Sequence, residues 1–219
     1  DVDRNTRKEA SEAYYAYLDE NIKDKAEQIY DSLVKVRTEM AHKLGYSSYT
    51  QLAYIRMGRY DYNEQDVAAY REQMREFVTP IAAKIAKAAF KRTGITSPRL
   101  YDLSLSFKEG NPIPNGTTQD KVNAARKMYE ELSPETGYFF SFMADHHVMD
   151  LEAKPGKQSG GYMTYFPKYG IPFIFSNFNG TSGDVDVLTH EFGHSFQAYM
   201  ARSIKIPEYR SPTMESCEI

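Results

Sequence analysis

Apolar positions at helical spacing run through the first two thirds of the chain. Between about residues 5 and 43, Tyr14, Leu18, Ile22, Ile29, Leu33 and Val36 recur at intervals that align them on one side of a helix, within an otherwise polar stretch. The pattern predicts one long helix, ended by Gly45. A second helix is predicted over 47–57 and a third over 63–92. The third opens on Asn63-Glu64-Gln65-Asp66, a capping-box-like start, and stops near Gly94. Residues 101–107 read as a strand, 111–116 as a proline-rich loop, and 119–131 and 134–149 as two further helices.

The periodicity then changes. Residues 160–166, opened by Gly160 and Gly161, and the more apolar 171–178 read as two strands joined by the turn Pro167-Lys168-Tyr169-Gly170. Thr181, Ser182 and Gly183 break the pattern, and Asp184 and Asp186 put negative charge where the macrodipole of a new helix favours it. Val187, Leu188, Phe192, Phe196 and Tyr199 continue that helix to about Met200. The fold class is mostly α with a small β-sheet (α+β). It divides into a mainly helical region, 1–150, and a segment, 151–219, that holds the sheet and the last helices.

That late helix carries His190-Glu191-Phe192-Gly193-His194. Histidines four residues apart share a helix face, so both imidazoles can reach one metal ion. Glu191 lies about 100° around the axis from His190, better placed to hold a water beside the metal than to ligate it. Two nitrogen ligands and a carboxylate base are what zinc-dependent peptide hydrolysis requires. Gly193 costs a helix about 1 kcal/mol against alanine, which predicts close packing there. Catalytic zinc usually takes a third protein ligand. After a loop over 202–212, Thr213 is placed to cap a second helix beginning at Met214, with Glu215 and Glu218 one turn apart. Spacing alone does not choose between these two glutamates, and Cys217 is a softer donor that zinc also accepts.

The run from Thr189 to Gln197, with Pro212-Thr213-Met214-Glu215-Ser216-Cys217-Glu218-Ile219, resembles the oligoendopeptidase F branch of the thimet-oligopeptidase family of zinc metallopeptidases. Gly156-Lys157-Gln158-Ser159-Gly160-Gly161-Tyr162 and the stretch from Pro172 to Phe178 resemble that family's approach to its active site. The resemblance implies a zincin-like fold with helical walls around a catalytic channel, one Zn²⁺ ion, and short unstructured peptides as substrates. It places the third ligand on Glu218, with Glu215 in reserve, beside His190 and His194, and gives Glu191 the role of general base. A strand beside a metal helix can add an extended peptide as one more strand. This fits the family, and Gly161, Tyr162 and Met163 are expected near the substrate. The chain opens without methionine and stops one residue past Glu218, so a remaining C-terminal part of the same peptidase is expected, as a second chain or a further portion. In the family that part carries the side chains that stabilise the tetrahedral intermediate. Two alternatives are a metallocarboxypeptidase and a non-catalytic peptide-binding or scaffold protein whose metal is structural or absent.

Composition narrows the setting. Lys and Arg total 27 against 30 Asp and Glu, a net charge of -3 that gives no basic footprint for nucleic acid. No apolar run approaches the roughly 20 residues of a membrane-spanning helix, and the first residues do not form a signal peptide. The single cysteine permits no internal disulfide and suits a reducing, cytoplasmic setting. His146 and His147 are adjacent, so they cannot form a facing pair on a helix. Asp102, on the predicted strand, reads as a surface or structural contact.

Overall fold

Capping and tertiary pairing, more than propensity, decide where the first helices begin and end. A computed structural model of the chain describes residues 1–218. Helix α1 (Arg4–Asn21) starts where the Asp3 carboxylate accepts the Thr6 N–H at 2.7 Å. The single helix expected over 5–43 is two, because α2 (Lys23–Lys43) follows after a bend at Ile22, whose φ is -125°. The Ile22 N–H still bonds to Leu18 and the Ile22 carbonyl still accepts from Ala26, so no glycine or proline marks the bend. Helix α3 (Tyr49–Arg56) falls within its expected range. Helix α4 (Glu64–Gln73) opens on the expected capping box between Asn63 and Asp66. A π-helical turn (Met74–Val78) separates it from α5 (Thr79–Thr93). Pro80 supplies the cause, since it has no N–H to donate into the preceding turn. Gly94, at φ 76°, closes α5 as expected.

Residues 101–107 form no strand. Leu100–Asp102 is a 3₁₀ turn, and the reason is Asp102. Its fully buried carboxylate accepts the Arg99 N–H at 2.9 Å and is paired with Arg4 and Arg7, each at 2.8 Å. The turn that satisfies this buried charge overrides the strand-like sequence. Asp102 is thus a structural contact, and not a surface residue.

The chain forms two compact units, Asp1–Asn111 and Pro112–Ile219. The change of composition near 150 is a change of element type within the second unit. There, α6 (Thr118–Leu132) starts from a Thr117–Asp120 capping box and turns Val122, Ala125 and Tyr129 into the core. Helix α7 (Pro134–Asp145) packs against it so closely that a Cβ on Gly137 would stand 2.7 Å from Glu130 Cα. Expected to reach 149, α7 ends at Asp145 because His147 takes a left-handed φ of 54° and the Val148 N–H turns back to the Met143 carbonyl.

That early stop frees β1 (Met149–Glu152), a strand the sequence pattern hides. It pairs in parallel with β3 (Ile171–Phe178), which also pairs antiparallel with β2 (Tyr162–Phe166), giving the order β1-β3-β2. Alternate residues of β3, among them Ile174 and Phe178, face the core. Helix α8 (Gly183–Ala201) covers that face, and Phe192, 1% exposed, stands among Tyr129, Phe139 and Phe140 at ring distances of 4.1, 5.6 and 5.1 Å. Among the described residues, no helix is long and apolar enough to cross a membrane.

Candidate metal centre

Burial of one side of α8 fixes what its other side presents. Leu188, Phe192 and Ser195 are buried and lie roughly 140° to 200° around the axis from His190. His190 and His194, about 40° apart, therefore turn away from the core, 49% and 20% exposed. Their Nε2 atoms stand 3.0 Å from each other. Glu191, between the two sides, is 8% exposed. Asp184 anchors the start of the helix, accepting N–H groups of Asn179 and Gly180, each at 2.9 Å, with Lys121 of α6 at 3.4 Å. The packing expected at Gly193 is absent. A Cβ there would meet nothing within 4 Å, because the residue lies on the exposed side of the helix.

A short return of the chain brings up the third donor. Gln197 of α8 donates to the Arg210 carbonyl at 2.9 Å, and Arg210 Nε donates to the Ile204 carbonyl at 2.8 Å. These bonds hold a 3₁₀ turn (Pro207–Arg210) against the end of α8, directly before α9 (Met214–Cys217). Thr213 does not cap α9 with its side chain, which hydrogen-bonds the Ser216 hydroxyl at 3.0 Å instead. Glu218 follows, with one carboxylate oxygen 3.4 Å from His190 Nε2 and the other 3.8 Å from His194 Nε2. His190, His194 and Glu218 are the one group of potential metal donors found among the described residues, with ligand atoms all within 4.8 Å of one another. Donors at zinc distances around a tetrahedral ion stand about 3.4 Å apart. The two imidazole nitrogens are 3.0 Å apart and each lies 3.4 to 3.8 Å from an oxygen of the Glu218 carboxylate, so two nitrogen donors and a carboxylate fit a zinc ion. Glu215 is not in this group. Ile219, the last residue of the motif, lies outside the described residues.

Residues 139–219 match the model of Peptidase family M3. The match covers roughly the last third of the chain. Over its whole length the chain is similar to several solved structures. PZ peptidase A, solved with an inhibitor, is 51% identical, with a TM-score of 0.93 over 100% of this chain and 39% of the other. A candidate oligoendopeptidase F from Bacillus anthracis str. Ames is 50% identical, with a TM-score of 0.90 over 99% of this chain and 40% of the other. Another candidate oligoendopeptidase F is 49% identical, with a TM-score of 0.93 over 100% and 38%. The chain therefore spans about two fifths of the length of these structures. The zincin-like α+β fold expected from the resemblance is the one it shares with them. Among curated proteins, no match to the chain is found.

In the matched segment β2 is an edge strand, packed beside α8. Ile174 donates its N–H to Val148, on the β1 side, at 3.0 Å. Backbone groups alternate sides along a strand, so the facing pair Met163 and Ile174 is not hydrogen-bonded, and Met163 turns its N–H and C=O to the open edge. Of the residues expected near a peptide, Met163 alone is so disposed within the strand. Tyr162 pairs with Phe175 on β3 and stacks on its ring at 5.1 Å. Gly161 precedes the strand, and a Cβ there would meet Val187 of α8 at 3.3 Å and the Phe175 carbonyl at 3.4 Å, so its small size lets β2 enter beside the helix.

Several residues that brace these elements carry no signal in the sequence pattern. Lys157, 7% exposed, donates to the Asp150 and Glu152 carbonyls at 3.0 and 2.7 Å and lies 4.5 Å from the centre of the Phe175 ring. Asp150 is held below the usual carboxylate range by Lys154 first and Lys157 second. Asn177 and Gln197 likewise reach backbone carbonyls. Contacts of this kind leave no residue spacing to read.

Proposed function

We propose that this chain is the metal-binding part of a zinc metallo-oligopeptidase that cleaves short, unstructured peptides. The observation that carries the reading is the convergence of His190, His194 and Glu218, whose ligand atoms all lie within 4.8 Å of one another, at the helix that also carries Glu191. His190, His194 and Glu218 would hold one zinc ion, and residues 151–219 would be the catalytic segment of the protein, with 1–150 a mainly helical region. When bound, zinc supplies a Lewis acid that polarises a carbonyl and makes water acidic near neutral pH.

The protein's own groups do the rest. Glu191 accepts the proton of the attacking water and delivers it to the departing amine, the two halves of general acid–base catalysis. It follows His190 directly on the helix, about 100° around the axis, beside the imidazoles rather than in line with them. The open edge of β2 at Met163 aligns the extended peptide by backbone pairing, with Gly161 and Tyr162 next to it in the chain. The remaining C-terminal part of the peptidase supplies further groups for the transition state and, with the helices, the walls of a channel that admits only unfolded chains. The single Cys217 supports a cytoplasmic setting.

The test joins metal analysis of the full-length protein to mass spectrometry of peptide digests. We expect one zinc per chain and internal cleavage of short peptides. Glu191→Gln should keep the zinc while lowering kcat by about 10³-fold or more. Turnover by that variant at the wild-type rate would exclude Glu191 as the base. Removal of C-terminal residues alone would make the enzyme a carboxypeptidase.

A further inference from the structure

The two glycines that lead into β2 are held from outside their own strand. Gly160 has a φ of 101°, a conformation reserved for glycine, and Gly161 lies against Val187. The Asn177 side-chain amide on β3 donates to the Gln158 and Gly160 carbonyls, both at 2.8 Å. One residue earlier, Lys157 is tied to β1 through the Asp150 and Glu152 carbonyls. Residues 157–160 are thus fastened to both other strands of the sheet immediately before the edge strand begins.

We propose that Asn177 is a positioning residue for substrate. By fixing the turn over residues 158–160, it sets the phase of the open edge of β2. The inference rests on the reading of β2 as the peptide-binding strand.

The phase matters because strand groups alternate. A slip of one residue would turn the Met163 N–H and C=O inward and present those of a neighbour, out of step with the metal site. Glycines lose the most conformational freedom on ordering. Without the Asn177 bonds, that ordering would fall on the substrate as it binds, and weaker binding of long peptides would follow. The chemistry at Glu191 would be untouched.

The test is steady-state kinetics on the full-length, zinc-loaded protein, with Asn177→Ala and Asn177→Ser. Two substrates are compared, a peptide long enough to lie along β2 and a short one that spans only the cleaved bond. Asn177→Ala should raise KM for the long peptide about fivefold. Zinc content, kcat and KM for the short substrate should stay within about twofold. Asn177→Ser, which keeps one donor, should fall between, and it serves as the readout if the alanine variant does not fold. An unchanged KM for the long peptide, or a joint loss of zinc and kcat without the length dependence, overturns the proposal. A wild-type protein that binds zinc but cleaves no peptide overturns the functional reading and this inference with it. An active wild type with an unaffected variant overturns this inference alone.

Discussion

Glu218 and Glu215 differ in what the fold does with them. Spacing puts them one turn apart on a helix and leaves both open as the third ligand. The chain instead ends α9 at Cys217, and Glu218 turns back to the two imidazoles at 3.4 and 3.8 Å. Glu218→Ala should therefore lower zinc affinity at least tenfold, by analogy with the cost of disturbing ligand support, while Glu215→Ala should change it little. Competition with a chromogenic chelator measures both. The reverse order would move the ligand role to Glu215. At this scale the histidine pair and Glu191 were legible, because helical spacing alone aligns them. Gly193 misled, since a glycine's place in a motif does not reveal whether anything lies against it.

Elements were legible where a local signal sets their limits. The capping box at Asn63, the left-handed Gly94 and the turn at Gly170 before β3 all act within a few residues of the boundary they mark. The errors came where a distant partner decides. Asp102 converts a strand-like stretch into a turn through Arg4 and Arg7, far earlier in the chain, and β1 exists only because β3 pairs with it. The apolar stripe of the first helices predicts helix correctly, but not burial: Ile29, Leu33 and Val36 are 53%, 42% and 55% exposed. Asp102 also makes a prediction about acid. The Arg4 side chain, opposed by burial and aided by the Arg99 N–H and Arg7, holds its carboxyl far below the ordinary 3.8. A depressed folded pKa stabilises the fold fully above the ordinary value, and that stability is lost as pH falls below about 4. Asp102→Asn should cost about 3 kcal/mol at neutral pH and flatten the loss of stability in acid. Urea unfolding at a series of pH values reads both effects. An acid profile unchanged by the substitution would remove Asp102 as its source.

At the scale of the molecule, one aromatic core in the second unit holds the sheet and α8 together, and the site is a consequence of that packing. Phe139, Phe140 and Phe192 fix the buried side of α8, so the histidines and Glu191 need no contacts of their own to be aimed. The chain spans about two fifths of the length of the structures it resembles. The central claim concerns one ion. Diffraction from crystals of the full-length protein, recorded on either side of the zinc absorption edge, tests it directly. A single anomalous peak is expected about 2.0–2.2 Å from His190 Nε2, His194 Nε2 and a Glu218 oxygen. No peak at that point, or a peak with Glu218 turned away, would contradict it.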